Sequence, residues 1–190
     1  MKSGRESPYF FNLGEVAEGG AFATLGAAYA ETILDANLEF DVLFGPAYKG
    51  IPIAVATAIA LAERGKPVGV AFNRKEAKDH GEGGNLVGAD VNARVLLVDD
   101  VLTSGKAVRE ALAILATTSA SVVGTVIAMD RQEIADGATE TAVKGLQQEL
   151  GAPVISIANL RDLIEYLEAD ASQAGTLERM QAYQARYCVV

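Results

Sequence analysis

Short apolar runs alternate with amphipathic stretches along nearly the whole chain, and no other feature limits the fold so tightly. Apolar runs of strand length stand at 40–44, 67–72, 95–98, 122–129 and 154–157. Apolar residues at helical spacing mark 50–64, the stretch up to 117, 139–150, 160–167 and 177–186. Upstream, Phe22, Leu25, Tyr29 and Ile33 predict a further helix over 16–37. Such alternation predicts an α/β fold, a mostly parallel sheet covered by helices on both faces. Pro8-Tyr-Phe-Phe-Asn12 reads as a short extended aromatic segment. Residues 73–92 are polar, charged and rich in glycine, without periodicity, and read as a loop. The 190 residues show no internal repeat and no linker, so a single domain over 1–190 is expected.

In a parallel sheet, ligands gather beyond the carboxyl ends of the strands. Four polar clusters fall there. They are Gly45-Pro-Ala-Tyr-Lys-Gly50, Asn73-Arg-Lys-Glu-Ala-Lys-Asp-His80, Asp99-Asp100 with Thr103-Ser104-Gly105-Lys106 behind it, and Asp130-Arg131. The third is the most specific. A helix opening on Thr, Ser and Gly points backbone N–H groups and hydroxyls outward and favours a phosphate. Two carboxylates directly before it would repel a phosphate, and they exceed what helix capping needs. They suit sugar hydroxyls or a divalent cation on the same ligand, so the cluster points to a phosphorylated sugar. The chain has neither Gly-x-x-x-x-Gly-Lys-Ser/Thr nor Gly-x-Gly-x-x-Gly, the common nucleotide loops.

Lys49 stands at a predicted helix start, where a cation opposes the macrodipole, so an anionic ligand is expected beside it. Arg74, Lys75, Lys78 and His80 form the main basic cluster, which ends in Gly81-Glu-Gly-Gly84. A solvated surface loop fits it, and so does a lid closing over an anion. Arg131, just after a strand, can simply pair with Asp130 or Glu133. By residue type alone, Phe10 and Phe11 belong in the core.

Composition narrows the function classes. The net charge of −9 argues against nucleic acid as a main partner, since phosphate backbones need a basic face. No apolar run is long enough to span a membrane, and the first residues lack the apolar centre of a signal peptide. The single cysteine, Cys188, excludes an internal disulfide and fits a reducing compartment. A cytoplasmic protein is expected, with no nucleic-acid or membrane partner.

Val95-Leu-Leu-Val-Asp-Asp-Val-Leu-Thr-Ser-Gly-Lys-Ala107 resembles the binding signature for 5-phosphoribosyl 1-pyrophosphate (PRPP) of the type I phosphoribosyltransferases. Other segments resemble the orotate phosphoribosyltransferases within them. These are Ser7-Pro-Tyr-Phe-Phe-Asn12, Phe44-Gly-Pro-Ala-Tyr-Lys-Gly-Ile-Pro52, Phe72-Asn-Arg-Lys-Glu-Ala-Lys-Asp-His-Gly-Glu-Gly-Gly84 and Asp130-Arg-Gln-Glu133. They follow family order along essentially the whole chain.

The resemblance implies the type I phosphoribosyltransferase fold: a core over 13–158, a small hood from 1–12 and 159–190, and a mobile catalytic loop over 73–92. It implies transfer of ribose 5-phosphate from PRPP to orotate, giving orotidine 5′-monophosphate and pyrophosphate, in the biosynthesis of UMP. Lys78, Asp100, Asp99 and His80 would be catalytic. PRPP would be bound by Lys2, Tyr48, Lys49, Arg74, Lys75, Lys78, His80, Asp99, Asp100, Val101, Leu102, Thr103, Ser104, Gly105, Lys106 and Ala107. Orotate would meet Phe10, Phe11, Thr103 and Arg131.

Mg2+ is the implied cofactor, held mainly through PRPP and water, with Asp99 and Asp100 as candidate ligands. A homodimer with shared sites is implied too, Arg74, Lys78 and His80 serving the partner and Lys75 its own subunit. The family carries a helix and a strand before Lys2-Ser-Gly-Arg5, so a truncated hood or weakened substrate binding is expected. The alternatives are a phosphoribosyltransferase for another nucleobase and a PRPP-binding regulator without catalysis.

Overall fold

The computed structural model describes residues 6–78, 84–102, 105–134 and 137–189. Helix α1 (Gly19–Asp35) leads into β1 (Val42–Gly45), α2 (Gly50–Glu63), β2 (Gly69–Lys78) and β3 (Gly84–Gly88). Then come β4 (Arg94–Val101), α3 (Lys106–Leu115), β5 (Ser121–Asp130), α4 (Ala142–Leu150), β6 (Val154–Asn159), α5 (Leu160–Glu168) and α6 (Ala174–Tyr187). The strands form one sheet in the order β3-β2-β1-β4-β5-β6. Every neighbouring pair is parallel except β2 and β3. The chain therefore winds outward from β1 in one direction and from β4 in the other, as the α/β expectation requires. Between β1 and β4 lies the point where strand order reverses, the ligand crevice of such sheets.

Successive strand residues face opposite layers. Leu43, Leu96, Val98 and Val126 pack with Tyr29 and Ile33 of α1 and Ile53 and Leu61 of α2. Phe44, Val95, Leu97 and Ile127 pack with Val108 and Leu115 of α3 and Leu146 of α4. Both faces are dry, which is why these strands read as unbroken apolar runs. A third cluster, Met129, Leu160, Ile164 and Met180, gathers Tyr9 and Val101 at the carboxyl end of the sheet.

Three features differ from the sequence reading. First, β4 continues past its apolar run, so Asp99 and Asp100 lie in the strand and not in a following turn. Asp99 is opposite Ile127 of β5, and Val101 opposite Met129. Second, 73–92 is not one loop: β2 runs on to Lys78 and pairs antiparallel with β3. β1 ends at Gly45, opposite Phe72. Beyond Phe72, β2 pairs only with β3, as a two-stranded ribbon whose β2 half is mostly polar. Third, Phe10 and Phe11 are not core residues; they are 83% and 36% exposed. Tyr9 is the aromatic of that segment that packs inward.

Candidate active site

The reversal between β1 and β4 sets two loops side by side. After β1 the chain turns through Gly45 and Pro46 into α2. A Cβ on Gly45 would collide with the Gly50 carbonyl, and one on Gly50 would meet Gly45 and Pro46, so this approach needs both glycines. Lys49 is the N-cap of α2 and makes no side-chain cap bond. Its ammonium instead reaches Asp100 Oδ2 at 2.7 Å. The cation at the helix start thus already faces an acid across the crevice. The Ala47–Tyr48 peptide bond is cis. The Ala47 N–H donates to Asn73 Oδ1 at 3.0 Å, and the Lys75 ammonium lies 5.1 Å from the centre of the exposed Tyr48 ring. Strand β2 therefore meets this loop at two points.

At the end of β4, Asp99 is 8% exposed. The Tyr29 hydroxyl donates to its carbonyl at 2.6 Å, and the Asp100 N–H donates to its Oδ1 at 3.0 Å. Burial pushes the Asp99 carboxyl up to about 6; the Asp100 charge adds to the rise, while the Asp100 N–H and Lys49 oppose it. Asp100 is more open, and its Oδ1 accepts the Val101 N–H at 2.7 Å. The Val101 and Leu102 side chains pack into apolar clusters, so only their backbone can face a ligand.

Helix α3 opens behind Gly105, whose φ of 65° suits glycine. Lys106 is exposed with its ammonium 3.6 Å from Glu110, and Ala107 is half-buried. Arg74, half-buried, and Lys75 stand on β2. Lys2, His80, Thr103 and Ser104 lie outside the described residues, and so does the side chain of Lys78.

Among the described residues no three His, Cys, Asp or Glu side chains form a metal cage. Two carboxylates at a crevice mouth are a donor set that suits Mg2+, which keeps its waters and completes its shell with ligand phosphates.

A second group sits at the end of β5. Arg131 is 7% exposed. Its Nε and Nη2 reach Glu133 Oε1 at 2.8 and 2.6 Å, and Nη2 donates to Ser7 Oγ at 2.9 Å. The guanidinium lies 4.2 Å from the centre of the Tyr9 ring. The Tyr183 hydroxyl of α6 donates to the same Glu133 oxygen at 2.8 Å. Asp130 plays another part, accepting the Gln132 N–H at 2.8 Å. Burial pushes the Tyr9 hydroxyl well above the usual phenol range. Through Ser7 and Tyr9, the segment bearing Phe10 and Phe11 docks on Arg131.

Tyr29, Asn73 and Tyr183 escaped the sequence reading as site residues. For Tyr29 a signal existed: a tyrosine on an apolar helix face needs an acceptor for its hydroxyl. Asn73 also had one, as the first polar residue after the apolar run of β2. No helix among the described residues is long and apolar enough to cross a membrane.

A family model for the phosphoribosyl transferase domain matches residues 12–157. An orotate phosphoribosyltransferase of Cellvibrio japonicus is 51% identical over 190 residues, covering 100% of this chain and 88% of the relative. One from Pseudomonas aeruginosa is 50% identical over 188 residues, covering 98% and 88%. The crystal structure of the Francisella tularensis orotate phosphoribosyltransferase matches with a TM-score of 0.88 at 38% identity, covering 100% of this chain and 91% of that one. A Mycobacterium tuberculosis orotate phosphoribosyltransferase in complex with PRPP matches at 0.65 and 27% identity, covering 86% and 87%. With a doubly wound sheet, an acid pair at its switch point and full-length relatives of one kind, the chain belongs to the orotate phosphoribosyltransferases of the type I phosphoribosyltransferase family.

Proposed function

We propose that this enzyme transfers the phosphoribosyl group of PRPP to orotate, yielding orotidine 5′-monophosphate and pyrophosphate on the route to UMP. The observation that carries the reading is the Lys49–Asp100 contact of 2.7 Å across the β1/β4 crevice. It puts a cation suited to pyrophosphate beside acids suited to ribose hydroxyls. A ring nitrogen of orotate, losing its proton to a base, forms the new bond to the anomeric carbon. The bond from that carbon to pyrophosphate breaks, and its electron pair leaves with pyrophosphate.

Lys49, Tyr48, Arg74, Lys75, Lys78 and His80 would meet the charge that gathers on the leaving group. Asp99 and Asp100 would hold the ribose hydroxyls, with Asp100 the candidate base. Backbone donors over 101–107, with the Thr103 and Ser104 hydroxyls, would take the 5′-phosphate at the start of α3. Asp99 and Asp100 would help hold Mg2+, which would supply further neutralisation of pyrophosphate charge. Arg131 would fork the orotate carboxylate, sharing its guanidinium with Glu133, while Phe10 and Phe11 flank the ring. The working unit is a homodimer whose sites are shared, placed in the cytoplasm, where the single cysteine stays reduced.

A product assay with PRPP and Mg2+ against orotate, uracil and hypoxanthine decides the matter. Turnover of orotate alone is expected. Turnover of another base in its place would make the chain a phosphoribosyltransferase for that base, and PRPP binding without turnover would make it a regulator. Arg131→Lys keeps the charge and loses the fork, so it is expected to raise the orotate KM about tenfold and leave the PRPP KM within about twofold.

A further inference from the structure

We propose that Asn73 is a positioning residue for the pyrophosphate end of the site, fixing the β1–α2 loop so that Lys49 meets Asp100. Asn73 is the first residue of β2 beyond the stretch paired with β1, which ends at Gly45 opposite Phe72. At that level β3 still pairs with β2 on one side, but on the β1 side its neighbour is the turning loop. The Asn73 side chain fills the place a ladder bond would take. Its Oδ1 accepts the Ala47 N–H at 3.0 Å, and Nδ2 donates to the Arg74 carbonyl at 3.4 Å. Asn73 and Ala47 are each 8% exposed.

The loop's backbone bonds from Gly50 to Pro46 and from Ile51 to Tyr48 are internal to the loop and the first turn of α2. They shape the turn without placing it on the sheet. The contacts of Tyr48 with Lys75 and of Lys49 with Asp100 run through long or exposed side chains, which hold a backbone weakly. The buried Asn73 bond is the one of these that ties the loop backbone to β2 through a buried group.

Residue type fits the role. A neutral amide offers an acceptor without placing a negative charge where pyrophosphate binds. Asn73 also stands at the root of the ribbon that carries Arg74 and Lys75. The inference rests on the reading of the loop as the pyrophosphate contact.

The test uses the full chain, with steady-state kinetics in PRPP and in orotate, and thermal melting. Asn73→Leu keeps the shape and removes the acceptor. It is expected to raise the PRPP KM at least about tenfold while the orotate KM stays within about twofold. In a Lys49→Ala background the same change is expected to add little, because Asn73 acts through Lys49. Val91→Ala, a buried change away from the loop, calibrates lost stability and is expected to leave the PRPP KM alone. Should Asn73→Leu not fold, Asn73→Ser carries the same readouts. An unchanged PRPP KM with a lowered melting temperature overturns the inference alone, and so do additive effects with Lys49→Ala. A wild-type chain without saturable PRPP dependence overturns the functional reading and the inference together.

Discussion

Burial pushes the Asp99 carboxyl up to about 6, while Asp100, one residue on, is held at 2.7 Å by Lys49. An unfolded aspartate ionises near ~3.9. Between that value and about 6 the folded chain keeps a proton that the unfolded chain has lost. Stability therefore falls as pH rises through this window and levels off above it. The charge on Asp99 at neutral pH costs about 3 kcal/mol. Asp99→Asn keeps an acceptor for the Asp100 N–H and removes that charge. Melting curves are expected to show the variant more stable than the wild type at pH 8, with the gain shrinking toward zero near pH 4. An equal gain at both pH values would show that buried charge is not its source. Turnover is expected to fall at least about tenfold, since a ribose contact is weakened. The two acids stand out in the sequence as ligand groups, but their difference does not. It comes from the burial of Asp99 in the fold and from Lys49, which lies 51 positions before Asp100 along the chain.

Among the elements, the β2–β3 ribbon shows most clearly what residue patterns hide. Strands inside the sheet announced themselves as apolar runs because both faces are buried. The half of β2 beyond Phe72 is a strand by backbone pairing alone, Asn73 with Leu86 and Lys78 with Gly84, with a register shift between them. Lysine, glutamate and arginine in that segment carry no period-two signal, so periodicity had nothing to detect. The same physics sets its stability. A two-stranded ribbon of mostly polar residues at the sheet edge is marginal by itself, and local opening there costs less than global unfolding. Hydrogen exchange by mass spectrometry is therefore expected to show amides 74–78 exchanging at least about a hundredfold faster than those of 95–98. Equal protection would mean that something besides the ribbon's own ladder covers it. A bound pyrophosphate that recruits Arg74 and Lys75 is expected to slow the exchange of 74–78 and leave 95–98 unchanged.

At the scale of the molecule, strand–helix alternation made the layered α/β architecture legible, but not the strand order. Alternation does not say that β2 and β4 flank β1 on opposite sides, and that arrangement alone creates the crevice. It also leaves β3 at the sheet edge, with the ribbon leading its basic residues away from the sheet body. Lys75 turns back to Tyr48 of its own loop, at 5.1 Å. With this contact, a division of labour is expected in which Lys75 serves its own site, while Arg74, Lys78 and His80 serve a second copy. The division can be tested with two inactive variants. Lys78→Ala lacks the loop cation and Asp99→Asn lacks the acid. If the ribbon crosses between subunits, a mixed dimer holds one doubly defective site and one intact site. Equal mixing puts half of all dimers in the mixed form, so about a quarter of wild-type activity is expected to return. If Lys78 serves its own subunit, every site in the mixture keeps a defect and activity stays at the level of the separate variants. Sedimentation of the mixture, showing exchanged dimers, makes that second result a refutation of the shared site.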